Sequence, residues 1–226
     1  MATSRNGTEV EDLNMLSVRV VHGFAVTGFV FTPLTTRLQR QSLDAKLFRY
    51  PSVGFSLNEI IDRVAKNLID DPPGGIIAHS LGCVATLEAI HRISWAGPIV
   101  LLAPPIKTLP LTRFIPRLMR WPFAPLIDHR EWTSADGQSL SAPPQCPTMT
   151  IVGRVDMIVP RSCTHLNGTH QSHTLWHSHN SMLLSSAVVN LCVQWIKSDP
   201  RLHASKRSSG PQRPPFKHVG GSESVS

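Results

Sequence analysis

The chain has 226 residues, of which 41% are hydrophobic and 16% charged, with 19 prolines and a formal charge of +7. This length suffices for one domain with a substantial core, and no apolar run approaches the roughly 20 residues that a membrane-spanning helix needs. The charge is uneven: from Lys197 to the end, six basic residues stand against two acidic ones, so the basic character belongs more to a tail than to a domain surface.

The opening MATSRNGTEVEDLN is polar and lacks the apolar segment of a secretory signal. Residues 1–16 read as a flexible N-terminus, and a cytoplasmic location is expected. Cys83, Cys146, Cys163 and Cys192 are widely spaced with no CxxC pattern, which points to reduced thiols rather than a zinc site or a disulfide framework.

In chain order, Ser17–Val21 (SVRVV) is a first β-prone run. Thr27–Arg40 reads as a helix with an early Pro33, and Ala45–Arg49 as a second strand. Ser56, followed three residues later by Glu59 and then by Ile60, Ile61, Val64 and Leu68, is a capping-box helix start. After Gly74-Gly75, Ile76–Ala78 is a third strand and Leu81–Ile93 a helix. Pro98–Ala103, Thr148–Val152 and Ser172–Trp176 supply three more strands, and Ser181–Ile196 a closing helix. Strands alternating with helices predict an α/β fold: a mostly parallel sheet of about six strands with helices on both faces. The apolar runs IIA and IVLLA fit strands buried on both sides. Ligand sites in such sheets lie at the carboxyl ends of the strands.

Two stretches break the alternation. Pro104–Pro144 is irregular, proline-rich and mixes Arg113, Arg117 and Arg120 with Phe114, Leu118, Trp121 and Phe123. So long a connection reads as a lid-like insertion over a site, against the plainer alternative of a packed loop with solvated arginines. Residues 198–226 form a basic, Ser/Pro/Gly-rich tail expected to be disordered. The domain proper is then 17–197. The tail could touch an anionic membrane surface, as could the 111–132 segment. No motif for nucleic acid accompanies it, so nucleic acid is not an expected partner.

Four motifs fall at strand ends. In IIAHSLGC, Ser80 lies between a predicted strand and helix, flanked by Ala78 and Gly82. Small residues at those places allow the tight strand-turn-helix elbow that exposes a nucleophile, whose usual pattern is G-x-S-x-G. In VVHGF, the His22-Gly23 pair can aim the N–H of Phe24 beside that of Leu81, forming an oxyanion site. The alternative is that the pair only turns the chain. In TIVGRVDMIVP, Asp156 follows a strand end and can orient a base. Asp128 and Asp136 are rivals within the irregular insertion. In HTLWHSHNSML, His177 and His179 are both candidates for that base. His179 is preferred because it lies in the loop beyond the strand. His165, His170, His173, His177 and His179 are close together, but no carboxylate or cysteine sits beside them at ligand spacing, so no metal or other cofactor is expected.

The chain order Ser80, Asp156, His179 is the Ser…acid…His order of α/β-hydrolases. On VVHGF, IIAHSLG, IVGRVDMIVP and HNSML, spread over Ser17–Ile196, the chain resembles the α/β-hydrolase superfamily, in the manner of a small lipase or esterase. It departs in having Ala78 for the first elbow glycine and only sixteen residues before the first strand, so the N-terminal strands are reduced. The resemblance implies a serine hydrolase that cleaves carboxylic esters, including lipid or acyl esters, through a Ser80–His179–Asp156 triad and an acyl-enzyme. A thioesterase or acyltransferase with the same triad, or a non-catalytic binding module on the same fold, is the alternative.

Overall fold

The computed structural model describes residues 15–25, 28–135 and 145–201. Their strands are Leu16–Val21 (β1), Leu43–Phe48 (β2), Gly75–His79 (β3), Ile99–Leu102 (β4), Thr148–Gly153 (β5) and Gln171–Leu175 (β6). They form one sheet in the order β2-β1-β3-β4-β5-β6, with every pair parallel. The helices are Thr32–Arg40 (α1), Leu57–Asp70 (α2), Leu81–Arg92 (α3), Ala124–Ala135 (α4) and Ser186–Lys197 (α5).

The alternation of the central strands sorts their side chains onto two cores. Ile76, Ala78, Ile99 and Leu101 pack with α2 and α3 on one face. Ile77, Val100 and Leu102 pack with α1 and α5 on the other. Both faces being covered, β3 and β4 are buried at every residue, which explains their unbroken apolar runs. The helix starting after Ser56 carries the full capping box: Ser56 Oγ accepts from the Glu59 N–H, and Glu59 accepts from the Ser56 N–H at 2.8 Å. Such a cap is worth about 1 kcal/mol.

Three expectations change. Of the segment expected to be helical from Thr27, which itself lies outside the described residues, Gly28–Phe31 form a 3₁₀ turn and α1 starts at Thr32; Pro33 fits its first turn, where no N–H is needed. The closing helix divides into a 3₁₀ turn, Ser181–Leu184, and α5. Ser185 stands between them in extended conformation, its side chain accepting from the Val188 N–H, so it caps a new helix. The insertion after β4, expected to be irregular, contains α4. Its sequence APLIDHREWTSA has no apolar stripe of helical period, and the helix is anchored through tertiary contact: Asp128 accepts from the Leu57 N–H at 2.8 Å. This assigns Asp128 to the start of α2 and removes it as a rival acid. Asp136, residues 1–14, the rest of the insertion from 136 to 144, and the tail from 202 lie outside the described residues. All four cysteines are free and buried.

The chain direction reverses around β1. It adds β2 on one side and then crosses to place β3 on the other. That switch point opens a crevice at the carboxyl ends of β1 and β3, where His22–Phe24 and Ser80 emerge.

Candidate active site

Ser80 follows the last residue of β3 and caps α3, with φ +54° and ψ −131°. A non-glycine residue held there stores strain of about 1–3 kcal/mol. It persists because both sides are anchored: the Ser80 N–H donates to the Leu102 carbonyl at 2.9 Å and its carbonyl accepts from the Cys83 N–H at 2.8 Å. The turn also requires close passage of neighbouring backbone. A Cβ on Gly23 would lie 2.8 Å from Ser80 Cβ, and one on Gly82 would lie 2.3 Å from the His22 carbonyl oxygen. Because the latter obstacle is backbone, Gly82→Ala is expected to destabilise the fold by about 3 kcal/mol or more, a fall in Tm of roughly 6–12 °C. A melt within about 2 °C of wild type would show that the β1 end yields freely.

Leu81 is the first residue of α3, so its N–H has no carbonyl one turn back, and the helix dipole favours negative charge beside it. Phe24 faces the same cavity as Ser80. The turn that carries Phe24 is fastened by residues that belong to none of the four sequence motifs. Tyr50, just beyond β2, stacks on the His22 ring at 4.0 Å, donates its hydroxyl to the His22 carbonyl and its N–H to His22 Nε2. His22 Nδ1 in turn donates to the Gly23 carbonyl at 2.8 Å. Ser52 Oγ accepts from the Ala25 N–H at 3.0 Å. A signal was present in the chain, since Tyr50 is its single tyrosine and stands directly after a strand end. Burial holds His22 below the usual imidazole range, against the opposing bonds to Gly23 and Tyr50.

Asp156 and His179 meet at the ends of β5 and β6. Asp156 Oδ2 accepts from His179 Nδ1 at 2.8 Å, and both side chains are buried. Its other oxygen accepts from the N–H groups of Ile158 and Val159 at 2.9 and 2.8 Å. Burial alone would raise this carboxyl, but the bond to His179 and the two N–H donors outweigh it and hold Asp156 below the ordinary carboxylate range. A carboxylate at Nδ1 puts the proton there and leaves Nε2 as the acceptor. His179 and Ser80 line one cavity. His177 does not join them: its Nδ1 lies 3.4 Å from Ser181 Oγ, and its carbonyl packs so closely on Gly153 that a Cβ there would approach to 2.3 Å.

His79 is buried beneath the elbow. Its ring lies 4.6 Å from that of His179. Among the described residues, no group of three or more His, Cys, Asp or Glu is arranged to hold a metal ion. No helix among them is long and apolar enough to cross a membrane.

The cavity measures about 680 Å³ and is walled mainly by the insertion, through Leu109, Leu111, Ile115, Met119 and Leu126, with Phe24 and Ile158. Among the described residues that line it, the only titratable side chain is that of His179.

With this geometry in place, a model of the alpha/beta hydrolase family matches residues 20–207. The chain belongs to the alpha/beta hydrolase family. The expectation of an enzyme of this type agrees with that membership, and the all-parallel sheet with helices on both faces agrees with the expected fold. Several solved structures are similar to it. A monoacylglycerol lipase of Paleococcus ferrophilus shares 14% identity at TM-score 0.58, over 80% of this chain and 94% of that one. Aspergillus fumigatus lipase B shares 15% at TM-score 0.66, over 81% and 53%. A thermophilic esterase of Thermogutta terrifontis shares 14% at TM-score 0.58, over 80% and 89%. At these identities the likeness is one of fold. No curated protein sequence matches this alpha/beta hydrolase.

Proposed function

We propose that the chain is a serine hydrolase that cleaves carboxylic esters with an apolar acyl group. The observation that carries this is the convergence of Ser80 and an Asp156-bonded His179 on one apolar cavity. Ser80 Oγ attacks the ester carbonyl while His179 Nε2 takes its proton. The negative oxygen of the tetrahedral intermediate is held by the N–H groups of Phe24 and Leu81. Collapse expels the alcohol, which receives the proton from His179, and leaves an acyl-Ser80. Water, deprotonated by His179, then releases the acid.

The acyl group lies against Leu109, Ile115 and Leu126, where apolar burial favours it by about 0.8 kcal/mol per methylene. The insertion serves as the lid of this pocket. Its outer face leaves Leu118 and Trp121 exposed, at 94% and 73%. With Arg113 and Arg120 exposed beside them, that face is suited to touch an anionic lipid surface.

A fluorophosphonate probe is expected to label wild-type protein and not Ser80→Ala. A folded wild-type protein that never labels would leave only a binding role on this fold. Esters and thioesters graded from acetyl to dodecanoyl then define the leaving group and chain length. Ile115→Trp, which fills the cavity, is expected to lower the dodecanoate-to-butyrate ratio of kcat/KM by about tenfold. An unchanged ratio would remove this cavity as the acyl site.

A further inference from the structure

Buried polar groups are costly unless hydrogen-bonded, and His79 is the buried group beneath the elbow that the proposed reaction does not use. It is 1% exposed. Phe31, wholly buried, meets it edge-on at 5.7 Å. Its Nδ1 has no hydrogen-bond partner among the described residues. A leucine or phenylalanine at the end of β3 would fill this space without that cost.

The other nitrogen is engaged. His79 Nε2 donates to the main-chain carbonyl of His179 at 3.1 Å, across one hundred residues of sequence. The His79 ring also lies against the His179 ring at 4.6 Å, tilted by 47°. His179 sits in the connection between β6 and the 3₁₀ turn at Ser181–Leu184, where no ladder of sheet hydrogen bonds holds its backbone. Asp156 holds its imidazole from the Nδ1 side.

We propose that His79 is a positioning residue for His179: its Nε2–H fixes the His179 carbonyl and its ring buttresses the His179 imidazole, so that Nε2 of His179 stays aimed at Ser80. The inference rests on the reading of His179 as the base. His79 sits next to the nucleophile, yet it acts on the base from behind. Burial first, then the neighbouring His179 ring, lower the His79 imidazole to about 3, against the raising effects of the His179 carbonyl and Asp156. It therefore acts as a neutral donor at neutral pH. A base displaced by about an ångström can cost 10²-fold in rate.

The test compares His79→Gln, His79→Asn and His79→Leu. The Gln amide nitrogen reaches the place of Nε2, whereas the Asn amide reaches only that of Nδ1. His79→Gln is expected to keep kcat for butyrate ester within about threefold of wild type. His79→Asn and His79→Leu are expected to lose about tenfold or more in kcat with KM nearly unchanged. A second readout needs no activity: the strongly downfield proton resonance of the His179 Nδ1–H bonded to Asp156. It is expected to persist in His79→Gln and to broaden or vanish in the other two. If His79→Leu does not fold, the Asn/Gln pair decides, since both are amides of differing reach. Equal kcat in the Asn and Gln variants, with the resonance intact in both, would reduce His79 to packing and overturn the proposal. If Ser80→Ala retains wild-type hydrolysis, the triad reading falls by itself, and the resonance still decides whether His79 positions His179.

Discussion

Replacing Ser80 with alanine is expected to lower kcat for the proposed ester hydrolysis by on the order of 10⁶, while the melting temperature stays close to that of wild type. The proposed chemical step needs an oxygen nucleophile at this position, and alanine supplies none. Alanine meets the same strained φ of +54° as serine does, so the elbow neither gains nor loses appreciably. His179→Ala is expected to cost about as much, and the double variant little more than either single change, because nucleophile and base act as one unit. A residual rate of about 10³–10⁴ over water is expected from the proposed oxyanion site and substrate binding. Single-turnover kinetics on the three variants check this. Losses that multiply in the double variant would mean that Ser80 and His179 act separately.

Asp156→Asn is expected to give the second large loss, on the order of 10⁴ in kcat. The Asn side chain is nearly isosteric, and its oxygen can still accept from Ile158 and Val159. Its amide nitrogen then faces His179 Nδ1 and donates where the carboxylate accepted. That would move the imidazole proton to Nε2 and, in the proposed mechanism, leave nothing to take the Ser80 proton. Stability responds as well. The folded Asp156 carboxyl titrates below its ordinary range, so its contribution is complete above the unfolded value and is lost as pH falls through the folded one. The wild-type protein should therefore lose stability more steeply below about pH 4 than Asp156→Asn does. Parallel acid melts for the two proteins would show that the pair adds no pH-linked stability.

The site was partly legible in the chain because its pieces sit where local patterns change. Ser80 lies between a wholly buried strand and a largely buried helix, Asp156 just past a strand, and His179 just ahead of a helix. Each position could be marked from neighbouring residues alone. The place of His179 beyond the strand favours it over His177. The structure brings His179 to Asp156 at 2.8 Å and leaves His177 beside Ser181. Less legible were elements without their own periodicity. The helix Ala124–Ala135 has no apolar stripe, and the break at Ser185 interrupts a run that reads as continuous helix.

By itself, then, the sequence determined the alternation of strands and helices, the parallel sheet and the places where its connections turn. These follow from short-range rules of side-chain period, capping and turn sterics. Only the tertiary structure decided what meets across the sheet ends. It set Tyr50 against His22, Asp128 on the start of α2, and His79 under the carbonyl of His179. Such contacts join residues far apart in the chain, and they exist only once the order β2-β1-β3-β4-β5-β6 has brought the carboxyl ends of separate strands side by side.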